Sequence, residues 1–313
     1  MKLSTVVSLY VDHHRALGQR FRSEEHLLRS FCRMIGDRPF ASIPAPSVLA
    51  FLDGHGPITE YWAKKHRVLT GLYRFALARG LVGVSPLPRR IRKPSIPAFV
   101  PYVYSPAELK RLLAAVPTAC GRRAFLDDYV LRALLLLLYG AGLRLGEALA
   151  LRLGDVDLSQ AILQIRETKF HKTRLVPMGR DLAQVLTAYV ARRNDAHAAT
   201  ADAPLFCLRD GSRLSQSAAR SAFRRLRALA GIRREGGTRR QPRLHDLRHT
   251  AAAHRLIAWY RSGIDLQDLL PKLATYLGHV DLCATQRYLT MTAELLQEAS
   301  LRFEHYAMES RHD

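Results

Sequence analysis

Near one end of the chain stand His245-Asp246-Leu247-Arg248-His249, then Leu277-Gly278-His279, then Tyr288. Imidazole, guanidinium and phenol groups can all hydrogen-bond a phosphate, and no carboxylate cluster suited to magnesium accompanies them. The combination suggests phosphoryl transfer to a side chain. A second arginine lies upstream in Gly142-Leu143-Arg144-Leu145-Gly146-Glu147, and Lys169, Lys172 and Arg174 fall on an expected hairpin. A guanidinium among leucines needs an anion or water. Arg144 therefore either pairs with Glu147, one turn later, or faces an external anion.

These ordered motifs resemble the tyrosine recombinase family, the phage integrases and Xer-type recombinases, over most of residues 105–295. The resemblance implies a mainly α fold with a small β-sheet. An α+β catalytic domain would follow a helical DNA-binding domain, the two forming a C-shaped clamp around duplex DNA. It implies that Arg144, Lys169, His245, Arg248, His279 and Tyr288 are catalytic, with Glu147 behind Arg144 and His249 supporting its neighbours. Aligned on Arg174-Leu175-Val176-Pro177, Lys169 takes the catalytic lysine's place and Lys172 is a neighbouring DNA contact. Thr168 and Phe170 stand where the family usually has glycine, so Lys172 remains the alternative lysine.

The chemistry so implied is self-consistent. Arg144 and Arg248 stay protonated and offer paired donors to the non-bridging oxygens as charge builds on phosphorus. Tyr288, with a reference pKa of about 10, needs a proton acceptor, the role given to His245. His279 donates to a non-bridging oxygen, and Lys169 protonates the departing 5′-oxygen. The products are a 3′-phosphotyrosyl link and a free 5′-hydroxyl; a 5′-hydroxyl from a second duplex then restores a phosphodiester without ATP. Four protomers on paired sites would exchange strands, alone or with accessory recombinases. Two other readings share the motifs: a DNA-binding protein of this fold that has lost its chemistry, and a type IB topoisomerase relaxing one duplex.

The elements that must position these residues follow from periodicity. Apolar residues at three- and four-residue steps predict helices over residues 3–17, 24–35, 48–52 and 60–79, with Gly80 as a C-terminal cap. Pro86, Pro88, Pro94, Pro97 and Pro101 mark an extended basic linker. Ser105-Pro106-Ala107-Glu108 reads as a helix start. A helix over 123–139, apolar on nearly all sides, should run through the centre of the second domain. Helices are expected at 145–151, 181–193, 215–230, from about 244, at 267–276 and at 292–306. Strands are expected around Val156, over 162–165 and over 175–178. The interval from Arg248 to His279 is longer than the resemblance implies, which suggests an extended helix or loop around 259–270. The domains expected are 1–93, helical and DNA-binding; 94–104, the linker; and 105–313, catalytic, with a helix at its end.

Composition agrees with a polyanionic partner. Lys and Arg number 48 against 27 Asp and Glu, a net charge of +21, and the pI is about 10.5. Double-stranded DNA is the expected ligand. Candidate contacts are Lys64, Lys65, Arg67 and Arg74 in the first domain, Arg90, Arg92 and Lys93 at the linker, Lys172 and Arg174 on the hairpin, and Arg224 and Arg225 on a later basic helix. The apolar run near 133–143 is bracketed by Arg132 and Arg144, well short of the ~20 residues of a membrane span. Four isolated cysteines and no leader-like segment suit a reducing cytoplasm, at the nucleoid. His245, His249 and His254 lack the His-Glu-x-x-His pattern. Neither a metal nor any other cofactor is expected.

Overall fold

The computed structural model describes residues 1–19, 21–93, 100–121, 124–166, 173–237 and 240–278. Lys169, Lys172, His279, Tyr288 and the helix expected at 292–306 lie outside the described residues. The chain divides into two units, Met1–Phe99 and Val100–Asp313.

In the first unit, α1 (Leu3–Ala16), α2 (Arg22–Ile35), α3 (Ala45–Asp53) and α4 (Glu60–Ala78) enclose one core. Spacing dictates the burial: Leu27, Leu28, Phe31 and Ile35 fall on one face of α2, and Trp62, Leu69, Leu72 and Tyr73 on one face of α4. Helix α3 starts earlier than the sequence pattern predicts, because Pro46 fits its first turn and Pro44 precedes it. The chain beyond α4 stays on this unit. Leu81, Val82 and Leu87 pack on the core, His66 Nε2 lies 3.0 Å from the Pro88 carbonyl, and Arg92 pairs with Asp53 at 3.1 Å.

The second unit begins with Tyr104 buried and Ser105 capping α5 (Pro106–Ala119) through a reciprocal pair: Glu108 N donates to Ser105 Oγ, and Ser105 N to Glu108 Oε2. Helix α6 (Asp128–Gly140) buries Val130, Leu131, Leu134, Leu135, Leu137 and Leu138. It packs against α5, α8 (Arg180–Ala196) and α10 (Asp246–Arg261), the central place its all-round apolarity predicts. It starts later than 123, and Asp127 stands at its N-cap position. The short α7 (Leu145–Ala150) follows, then β1 (Val156–Asp157), β2 (Ile162–Ile165) and β3 (Arg174–Pro177), an antiparallel sheet in the order β1-β2-β3. Ile165 pairs with Arg174, so Arg174 sits at the last paired rung of β2 and β3.

Helix α9 (Gln216–Leu229) packs on α5 and buries Ala219, Ala222, Phe223 and Leu226. The long interval after Arg248 resolves as the full length of α10, a turn at Gly263 and α11 (Leu266–Leu277), capped by Asp265. Leu256, Ile257, Leu270, Leu273 and Leu277 hold these two helices together in a separate cluster. Among the described residues, no helix is long and apolar enough to cross a membrane.

Leu134 is wholly buried in α6. Leu134→Ala should cost about 2–5 kcal/mol, read from urea unfolding as an earlier transition of the second unit. A loss of under about 1 kcal/mol would mean that α6 is not the centre of that core.

Candidate active site

The segment between α6 and α7 turns sharply at Gly142, where φ is +59° and a Cβ would stand 2.9 Å from the Leu277 side chain. Glycine is required there both for the backbone and for the approach of α11. Arg144 follows in extended conformation at the start of α7, with Glu147 in the first turn. Glu147 closes back on Arg144: Oε2 accepts the Arg144 backbone N–H at 3.0 Å, and Oε1 accepts Nη1 at 2.8 Å. Both readings of Arg144 thus meet in one geometry, since the paired side chain remains 40% exposed.

The same carboxylate serves two more arginines. Arg174 engages it as a fork, Nη1 to Oε1 at 3.1 Å and Nη2 to Oε2 at 2.9 Å, and Arg248 Nη1 lies 4.0 Å from Oε2. Burial alone would raise the Glu147 carboxyl, but hydrogen bonds from Arg174 and the Arg144 backbone, with the Arg174 charge, hold it down at about 2. Three guanidiniums thus converge on one ionised carboxylate within a few ångströms.

Backbone carbonyls take part of the remaining donor capacity. Arg248 is only 2% exposed and donates to the Gly142 carbonyl at 2.7 Å and the Leu277 carbonyl at 2.7 Å. Arg144 Nη2 donates to the Gly278 carbonyl at 2.9 Å, and Arg174 Nε to the Tyr276 carbonyl at 3.3 Å. These are carbonyls at the end of α11, the negative pole of that helix. Gly278, with φ +69°, closes the helix where a Cβ would lie 2.8 Å from Arg174 Nη1. His279 is the next residue in the sequence.

His245 stands immediately before α10 with its ring exposed, edge-on to His249 at 5.0 Å. Its surroundings are crowded even so. Burial, and then the charges of Arg248, Arg243, Arg144 and Arg220, push its pKa down to about 4, which makes the imidazole neutral at pH 7. Asp246, fully buried, fixes this corner by accepting from the Arg243 backbone at 2.7 Å and from its Nη2 at 3.2 Å. Burial pushes the Asp246 carboxyl up against that help.

Arg144 and His245 share a cleft of about 730 Å³ with Gln216, Arg220, Arg224, Arg227 and Arg243. Positions 216, 220, 224 and 227 are one face of α9. The sequence marks this as a basic helix carrying Arg220, Arg224 and Arg227 but does not point to Gln216 or Arg243; the four-residue spacing on α9 is the available signal for Gln216. Arg225, one step round the helix, points elsewhere, its guanidinium 5.6 Å from the centre of the Phe125 ring.

Several expected DNA contacts are placed differently. Arg174 is 14% exposed and committed to Glu147, because the hairpin turns it inward toward the end of α11. Lys65 donates to the Phe51 carbonyl at 2.6 Å and the Leu52 carbonyl at 3.3 Å, closing the end of α3, and burial lowers its pKa. Lys64 reaches Ser23 Oγ at 2.8 Å. Arg67, Arg74, Arg90, Arg92 and Lys93 are exposed, Arg92 with Asp53 as partner.

Known proteins share this arrangement of elements. A model of the phage integrase family matches residues 103–294, more than half of the chain. A putative integrase/recombinase of Sinorhizobium fredii, y4rB, is 37% identical over 310 residues, covering 95% of this chain and 96% of that protein. Tyrosine recombinase XerA of Thermococcus kodakarensis is 31% identical over 211 residues, 67% of this chain and 65% of that protein. Among solved structures, the Tn1549 transposon integrase in complex with a circular intermediate DNA superposes with a TM-score of 0.68 at 16% identity, over 96% of this chain and 99% of that one. A lambda integrase dimer bound to a core site gives 0.66 at 16% identity, over 93% and 78%. The chain belongs to the phage integrase family, the tyrosine recombinases, enzymes that cut DNA strands and rejoin them.

Proposed function

We propose that the chain is a site-specific DNA recombinase or integrase that cleaves through Tyr288 and passes through a 3′-phosphotyrosyl intermediate. One observation carries the reading. A largely buried carboxylate is shared by three guanidiniums, and one of them, Arg144, stays 40% exposed and lines a cleft with arginines on its other walls. A half-exposed guanidinium facing further arginines across a sheltered cleft favours an anion, and a phosphodiester supplies one.

In this reading Arg144 presents its exposed donors to the non-bridging oxygens. Arg248 contributes charge from beneath and holds the Gly142 turn to the end of α11. The neutral His245 accepts the Tyr288 proton as its oxygen attacks phosphorus. The 5′-oxygen leaves with a proton from Lys169, and His279 donates to a non-bridging oxygen. Reversal by another strand's 5′-hydroxyl rejoins the DNA.

Residues 1–93 form the first DNA-contacting domain, through Lys64, Arg67 and Arg74 with Arg90, Arg92 and Lys93 toward the linker; residues 105–313 form the catalytic domain, with Arg224 beside the cleft. The substrate is double-stranded DNA, exchanged by four protomers on paired sites and moving a mobile element by integration or excision. The integrase and recombinase names of the relatives support a role in DNA recombination.

On nicked duplexes tiled across the DNA that flanks its own gene, the protein should form a covalent adduct resistant to denaturation, and Tyr288→Phe should abolish it. An adduct that persists in Tyr288→Phe would overturn the assignment of the nucleophile. Arg144→Gln should slow single-turnover cleavage by about 100-fold or more with DNA affinity little changed; equal losses in both would make Arg144 a binding residue only. In histidine-labelled free protein, the His245 resonance should titrate near 4, well below the ~6.5 of an ordinary histidine. A midpoint at or above that ordinary value would remove the neutral base from the mechanism.

A further inference from the structure

The geometry points to Arg174 as a positioning residue for Arg144, acting through Glu147. This rests on the reading that Tyr288 attacks a phosphodiester held by Arg144, and it goes beyond that reading by assigning a task to a residue that touches no substrate. Glu147 Oε1 is the shared atom, with Arg144 Nη1 at 2.8 Å on one side and Arg174 Nη1 at 3.1 Å on the other. The Arg174 fork fixes both carboxylate oxygens, at 14% and 11% side-chain exposure for the two partners, and bidentate geometry specifies direction as well as attraction. A further bond, Nε to the Tyr276 carbonyl, ties the same guanidinium to the end of α11. Gly278 leaves the space the fork needs.

Two effects on Arg144 follow. The carboxylate plane sets where the Arg144 guanidinium points, and Arg174 sets that plane. Arg174 also shares the carboxylate charge, so that Glu147 orients Arg144 without neutralising it. With Arg174 removed, Glu147 would close on Arg144 alone and compete with the phosphate for the same donors. A lysine at 174 keeps the charge but loses the fork.

The experiment compares wild type, Arg174→Lys and Arg174→Met in single-turnover adduct formation on a cleavable nicked duplex. The scissile group is either the ordinary phosphodiester or a methylphosphonate, whose missing negative charge lessens the demand on Arg144. Both variants should lose about 10-fold or more on the phosphodiester at saturating protein, while melting temperature and DNA affinity stay close to wild type. On the methylphosphonate the loss should shrink to under about threefold. A double-mutant cycle with Arg144→Lys gives a second reading: Arg174→Lys should add little once Arg144 is already replaced.

Equal losses on both substrates with multiplicative losses in the cycle would make Arg174 an ordinary structural ion-pair partner and overturn the inference. So would weaker DNA binding with a shallower salt dependence and unchanged saturated cleavage, which marks a direct phosphate contact. Wild-type rates in both variants, or failure of both to fold, overturn it as well. If wild type forms no adduct on any duplex, the Tyr288 reading fails and takes this inference with it. A wild-type adduct beside any of the other outcomes leaves that reading standing.

Discussion

A single carboxylate answering three guanidiniums is the constraint around which the second unit is arranged. Glu147 is 11% exposed, and among the described residues its charge is stabilised by Arg144 and Arg174, which hydrogen-bond it directly, and by Arg248 at 4.0 Å. Removing one partner from such a pair leaves a buried charge uncompensated, the costly direction of change. Here three guanidiniums meet that carboxylate, and the carbonyls of Gly142, Tyr276, Leu277 and Gly278 hold them with dipoles as well. Dipoles keep the guanidiniums in place while leaving the site attractive to an anion.

The fold's task is to bring segments far apart in sequence to that carboxylate. Helix α6 supplies the apolar axis, and the Gly142 turn delivers Arg144 and Glu147 from its end. The β2–β3 pairing delivers Arg174, α10 delivers Arg248 and His245, and α11 delivers its C-terminal carbonyls. Two glycines make the approach possible. At Gly142 a side chain would strike Leu277, and at Gly278 it would strike Arg174, so the points where α11 meets the site lack a Cβ on steric grounds, whatever the chemistry.

Local patterns made much of this legible. The periodicity of α2, α4 and α6 reported which faces are buried, because a helix writes its partner into three- and four-residue spacing. The Ser105 cap was readable because all its atoms lie within one turn. Spacing was silent on pairing across the fold. Arg174 read as a surface contact because neither the 27 residues separating it from Glu147 nor the 102 separating it from Tyr276 leave a local trace. Lys65 read as one cation among several on α4, although it closes the end of a different helix. Arg243 has no such local signal because a cleft is defined by which faces meet, and periodicity describes one face at a time.

The same arginines enter the acid–base chemistry. Burial first, and then the charges of Arg248, Arg243, Arg144 and Arg220, act on His245 in the direction that strips its proton. In the proposed reaction a phosphate entering the cleft cancels part of that field and raises the affinity of His245 for a proton, and charge building on the non-bridging oxygens raises it further. Basicity would thus rise as the phenol surrenders its proton, and fall again when the strand is rejoined and the product leaves. The part of the shift that comes from burial gains no such timing; the part that comes from the arginines does, because it places the base inside the field that binds the substrate.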